Sequence, residues 1–382
     1  MFTRKRLPFF LVMFMVIYFL VGCSPISEPV EVDNQPEAAA PSEEVNEPKG
    51  ADPSEEVGEP SIEVEVQPEV NNNGAIIAPE NLTRLAPLTL VLPEYPERIL
   101  WSKPGAAGAF PDAPLLLLSG ARLHPLALDR RADQAVMNLS DSIPLPLNGN
   151  QIVAFAPDAS SLLVQEPGRL ALYSPDGRLQ REIAELDRTG SASFSPDSRA
   201  LAITSQEEFA AYVYGTDGSI TKLTGFETAA PVYSVLLGPQ GKTLAWISRA
   251  TLQFDDVTMV KEVPGTRLHF SDFIGPVVFS PDGGRLALYV AGSLYLYRAP
   301  EGELLAEIPL DGPVISLDFS PSGEILAGSY GNGFQTWDGW TLEPLVTLPS
   351  DGSETIMVSF SPDGRMLVTT HNNNELRVWM VE

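Results

Sequence analysis

Cysteine is nearly absent from this 382-residue chain, in which Cys23 stands alone. A single thiol excludes an intrachain disulfide framework and any thiolate-rich metal site. Histidine is almost as scarce: His124, His269 and His371 are the whole set, too few for a histidine-based metal cluster. Positive charge is also short, with 24 Lys and Arg against 50 Asp and Glu, a formal charge of −26. Nucleic-acid binding needs clustered cations, and docking on anionic lipid needs them too, so neither is expected. No Gly-x-Ser-x-Gly, phosphate-binding loop or metal-spaced His pair occurs. No catalytic residue, metal or cofactor is therefore assigned.

What is present begins with a basic patch, Arg4-Lys5-Arg6, followed by an apolar run from Leu7 to Val21. The run is short for a bilayer, which takes about 20 apolar residues, and it follows the basic-then-apolar plan of a secretory signal. It ends in Leu20-Val21-Gly22-Cys23. This ending resembles the lipobox of bacterial lipoproteins. The resemblance implies cleavage before Cys23, diacylation of its sulfur and an address on the cell membrane or outer membrane, facing away from the cytoplasm. Two acyl chains suffice for stable anchoring. Ser24 in place of Asp favours the outer membrane in a source with two membranes. The competing reading, an uncleaved anchor, exports the rest of the chain as well.

Residues 23–86 form the second segment. Between Ser24 and Glu80 there are fifteen acidic residues against one base, Lys49, and no aromatic residue. Such a stretch cannot bury enough apolar surface to offset its ordering entropy, so a disordered tether is expected. A duplication, Pro41-Ser-Glu-Glu-Val-Asn-Glu-Pro48 and Pro53-Ser-Glu-Glu-Val-Gly-Glu-Pro60, marks a low-complexity spacer.

From residue 87 aromatic and β-branched residues appear, and one phrase recurs: Phe155-Ala-Pro-Asp158, Phe194-Ser-Pro-Asp197, Leu237-Gly-Pro-Gln240, Phe279-Ser-Pro-Asp282, Phe319-Ser-Pro-Ser322 and Phe360-Ser-Pro-Asp363, after a degraded copy at Phe110-Pro-Asp112. The prolines lie 46, 39, 43, 42, 40 and 41 residues apart, and a leucine stands five places after each: Leu116, Leu162, Leu201, Leu244, Leu286, Leu326 and Leu367. A period near 42 signals a propeller or a solenoid. Within one period an apolar strand reaches the Phe, and Pro and Gly then supply the φ values of a tight turn. Three more short strands follow, as in Leu286–Tyr289, Leu294–Tyr297 and Leu304–Ile308. Four strands per repeat describe a propeller blade.

The Phe-Ser-Pro-Asp-Gly phrase with its following Leu resembles WD-repeat and TolB-type propellers. Trp337-Asp338 takes the place of their WD dipeptide, and Trp379 the matching place in the last repeat. The resemblance implies an all-β, seven-bladed β-propeller of four-stranded blades over residues 87–382. No Gly-His dipeptide opens any repeat, so the buried histidine network of that family is not expected and apolar packing must hold the blades. The last repeat lacks a fourth strand, whereas Leu88-Thr-Leu-Val-Leu-Pro93 is a strand without a repeat. Residues 88–92 are therefore expected to complete the last blade, with Leu88, Leu90 and Leu92 on its buried face.

Asp158, Asp197, Asp282 and Asp363 lie on separate repeats and are read as turn formers. Trp340, where a turn calls for Gly or Asp, either covers a blade edge or anchors a partner. His371 is expected at the surface, in the loop His371-Asn-Asn-Asn374. By the resemblance, a binding face would gather Gln206, Glu207, Glu208, Arg249, His269, Tyr330, Asn332, Asp351, His371, Asn372, Asn373 and Asn374. The function expected is a membrane-anchored, non-enzymatic platform for protein partners. The alternatives are a propeller enzyme, either a lactonase-like hydrolase or a quinone-dependent dehydrogenase, and a surface protein that captures glycans or peptides.

Overall fold

The computed structural model describes residues 75–381, apart from 102–114, 120–121, 132–133, 146–149, 185–188, 206–209, 216–218, 224–231, 233, 249, 258–265, 331–332 and 350–351. Cys23, the apolar run before it and the acidic spacer lie outside the described residues.

Seven antiparallel sheets follow one another along the chain. The fifth is representative: Ile274–Phe279, Arg285–Val290, Ser293–Arg298 and Glu303–Pro309 pair in chain order. First strands of successive units lie side by side from blade two to blade four and from blade five to blade seven, where they form the inner wall of the ring. Each of the seven recurrent leucines is buried, at 3% exposure or less. This accounts for their constancy. They are the first or second residue of the second strand in every blade and belong to the packing between blades.

The apolar side chains sort into seven clusters, one for each pair of neighbouring blades. Phe254 of blade four meets Phe279 and Leu286 of blade five; Leu294 and Leu296 of blade five meet Phe319 and Trp337 of blade six. The seventh cluster joins the last blade to the first, bringing Val368, Leu376 and Val378 against Trp101, Leu115 and Leu117. Seven interfaces for seven blades leave none open. The result is a closed seven-bladed β-propeller.

Closure follows the expected plan. The strand Leu85–Val91 pairs antiparallel with Glu375–Val381, Leu88 opposite Val378 and Leu90 opposite Leu376. Leu88, Leu90 and Leu92 are 1%, 2% and 4% exposed and belong to the cluster that joins blades seven and one. Two expectations need correction. The tether, expected to run to residue 86, gives way to packed structure earlier. A 3₁₀ turn at Pro79–Arg84 places Leu82 in the core between blades six and seven beside Ile77, whose N–H donates to the Gly364 carbonyl at 2.8 Å. In blade six, too, the apolar run Val314-Ile-Ser-Leu-Asp-Phe319 reads as a single inner strand, whereas the strand covers only Leu317–Phe319.

The recurrent turn has a local and a long-range cause. Asp197, Asp282 and Asp363 each accept from the serine two places before and from a backbone N–H two places after, the Arg365 N–H reaching Asp363 at 3.1 Å. The glycine two places after the proline takes φ of 73°, 73° and 70° at Gly283, Gly323 and Gly364. A Cβ at Gly283 would lie 3.0 Å from the Pro239 ring of the preceding blade, and one at Gly364 would lie 3.7 Å from Pro321. The phrase thus forms its own turn and also seats it on the turn before.

Candidate functional site

Because strands alternate in direction, the ring has two ends. At one lie the turns between first and second strands and between third and fourth. At the other lie the turns between second and third strands and the crossings between blades. The second end is the one on which the binding face was expected.

Of that face, Gln206, Glu207, Glu208, Arg249, Asn332 and Asp351 lie outside the described residues. The others reach the expected end from three blades. His269 closes the outer strand of blade four, is exposed, and shares a 3.2 Å hydrogen bond with the Thr251 hydroxyl. Tyr330 ends the second strand of blade six and accepts from the Asp311 N–H at 3.2 Å. Asn372, Asn373 and Asn374 shape the last hairpin: Asn372 accepts from the Glu354 N–H, Asn373 from the Glu375 N–H, and Asn374 takes φ of 64°.

His371 is not on the surface. It is 1% exposed, as the last residue of the strand Leu367–His371. Its Nε2 lies 3.0 Å from the Thr369 hydroxyl, which accepts from the Trp379 indole N–H at 2.9 Å. Its Nδ1 faces Ser353 at 3.2 Å and Thr355 at 3.4 Å. A buried polar chain therefore crosses blade seven, contrary to the expectation of purely apolar packing. Its histidine comes from the second strand of the blade. Blade six lacks this chain because Gly328 stands where Thr369 does. Any Cβ there would press to 3.0 Å on the Trp337 ring and 2.9 Å on Leu317.

The inner strands are stitched by side chains that accept the next blade's backbone. The Val235 N–H reaches Ser191 at 3.2 Å, the Val358 N–H reaches Ser316 at 3.2 Å, and the Phe360 N–H reaches Asp318 Oδ2 at 2.7 Å. Trp101 of blade one donates to the Ser359 hydroxyl of blade seven at 2.9 Å, extending this stitching across the closure. Asp318 is exceptional. Burial pushes its carboxyl up to about 7, against the lowering effect of the Phe360 N–H, the Ser359 hydroxyl and the Phe319 N–H.

A folded-state value above the unfolded one means that the folded ring holds the proton more tightly. The stability this contributes is full below the unfolded value near 4 and is lost as pH rises through about 7. Between pH 5 and 8 the loss is roughly 2–3 kcal/mol. Asp318→Asn should remove this part of the pH dependence in denaturant titrations, leaving the variant the more stable of the two at pH 8. Parallel curves for variant and wild type would refute the assignment.

Arg285 is a further polar feature that, like Asp318, the sequence did not suggest. Arg285, 3% exposed, crosses from blade five to blade six and donates to the Gly323 and Gly339 carbonyls. Its guanidinium lies 3.5 Å from the centre of the Trp340 ring, and Trp340 itself is 55% exposed. The available signals were Arg285 in a slot held by Leu115, Ser161, Ala200, Thr243, Ile325 and Met366 elsewhere, and Asp318 in one held by Ala154, Ser193, Leu236, Val278 and Ser359.

A groove of about 430 Å³ lies on blade two, lined by Pro167, Gly168, Arg169, Glu182, Ile183 and Ala184, but its cation is already bound by Glu166 and Glu182. Among the described residues, no three His, Cys, Asp or Glu side chains converge as a metal site would require.

The geometry defines a class, the closed seven-bladed propeller with a polar chain buried under a third-strand tryptophan. Residues 343–380, the end of blade six and most of blade seven, match the WD domain, G-beta repeat family. A chain in a crystal structure of a mitotic checkpoint complex is similar at 19% identity with a TM-score of 0.49, the likeness covering 75% of this chain and 92% of that one.

Proposed function

We propose that this chain is a lipid-anchored extracytoplasmic protein whose propeller is a platform for protein partners. The observation that carries the platform reading is the closed set of seven apolar interfaces, which gives a rigid frame. On that frame His269, Tyr330 and Asn372–Asn374 arrive at one end from three blades. A rigid scaffold carrying irregular polar turns keeps the ordering cost of association low. The anchoring half rests on the ending at Cys23 and on the acidic spacer that follows it.

Each half has its own test. Cys23→Ala should abolish lipid labelling and leave the signal uncleaved at that point; normal labelling in the variant overturns the anchor. Photo-crosslinking amino acids placed at Asn373 and at His269 should both give discrete protein adducts in intact cells. Absence of adducts at both positions, together with stoichiometric metal in the purified protein, would transfer the assignment to an enzyme.

A further inference from the structure

We propose that the opposite end of the ring, over blades five to seven, docks a basic protein segment on Trp340. This surface is separate from that of His269 and Asn372–Asn374, and it stands whether or not that face binds.

Trp340 is exposed yet held in place. It sits in the turn between the third and fourth strands of blade six, where Asp338 Oδ1 accepts from the N–H groups of Trp340 and Thr341, each at 2.9 Å. One indole face lies on the Arg285 guanidinium, which is itself fixed by the Gly323 and Gly339 carbonyls. More than half of the Trp340 surface, 55%, remains exposed. An immobilised indole gives up little entropy on binding, which is what makes such residues interface anchors.

The turns beside Trp340 pack on one another through buried glycines, Gly339 on Gly323 and Gly364 beside Pro321 and Ile76. Three apolar side chains, Trp340, Pro321 and Ile76 (56% exposed), stand out to solvent from these packed turns.

Charge selects the occupant. Asp282, Glu301, Glu324, Glu343 and Asp363 are exposed on the same turns of blades five to seven and give them an acidic rim, whereas Arg298 is bonded to Glu303 and Arg365 lies 4.0 Å from Asp363. A second copy of a chain carrying −26 charges is repelled, and so is anionic lipid. A lysine- or arginine-rich segment with an apolar side chain complements both the indole and its rim.

The test uses the full-length protein in non-ionic detergent with three fluorescent peptides of equal length and apolar content, one lysine-rich, one uncharged and one glutamate-rich. The lysine-rich peptide should bind tightest, and Trp340→Ala should weaken it by on the order of tenfold or more. Glu324→Gln, Glu343→Gln and Asp363→Asn together should weaken it and flatten its salt dependence. Leu179→Ala, which removes an equally exposed apolar side chain on blade two (49%), should change nothing. Melting temperatures report whether each variant is folded. Equal binding of all three peptides, or wild-type affinity in a folded Trp340→Ala protein, overturns the proposal. So does Trp340-dependent self-association in sedimentation, or Trp340-dependent flotation with phosphatidylglycerol vesicles.

Discussion

A chain lacking residues 85–92 should lose several kcal/mol of stability and become prone to self-association. Leu88, Leu90 and Leu92 bury almost all of their surface between blades seven and one. At about 1.5–3 kcal/mol for each fully buried side chain, the apolar loss is roughly 5–9 kcal/mol, an upper bound because the denatured chain already hides some of this surface. The seven residue pairs with Glu375–Val381 are lost as well. That leaves the last strand as a bare edge of alternating apolar residues, a template for pairing between molecules. Thermal unfolding and sedimentation velocity measure both effects. An unchanged melting temperature with an unchanged sedimentation coefficient would show that the strand is an ornament on a ring closed by other means.

The second large effect is expected at Thr369. Its hydroxyl joins the Trp379 indole N–H to His371 Nε2, and all three residues are buried. Thr369→Val preserves the shape and removes the bridge, leaving a buried donor and a buried ring nitrogen short of a partner. At about 1–3 kcal/mol for each unsatisfied group, the cost is roughly 2–6 kcal/mol. Threonine is bound to be the better residue here even though valine is the better strand former. A measured cost under about 0.5 kcal/mol, the usual size of an innocuous substitution, would mean that water replaces the hydroxyl.

The repeat was legible because its causes are local. Pro and Gly set the turn, and the leucine five places on begins a strand whatever the neighbouring blade contributes, so the phrase survives in one sequence. The closing strand was legible by subtraction, since a strand without a repeat and a repeat without a strand must meet. Ile77 and Leu82 were not: they follow the acidic spacer with no periodic pattern, and only contact with blade six and blade seven gives them a core to enter.

His371, Asp318 and Arg285 were opaque for a related reason. Each departs from its slot in the repeat, which a single chain displays. What each one faces, however, lies across a blade interface or at the far end of the same blade. His371 next to three asparagines reads as a surface loop, and only the register of its strand turns the imidazole inward. Of the expected binding face, the end of the ring was implied only by the resemblance to other propellers. Its chemistry was not legible, because the loops of a propeller are chosen by partners and carry no repeat.

The central claim, a ring buckled by its own first strand in one register, is tested most directly by a disulfide. With Cys23 replaced, the protein has no other thiol, and cysteines introduced at Thr89 and Arg377 would be opposite one another in the closing pair. Mild oxidation of the folded protein should give an intramolecular bond in the monomer and a higher melting temperature. Cysteines placed at Thr89 and Glu375, which are out of register, should not bond. Bonding only between molecules, or equal bonding of both pairs, would contradict the closure and with it the seven-bladed ring.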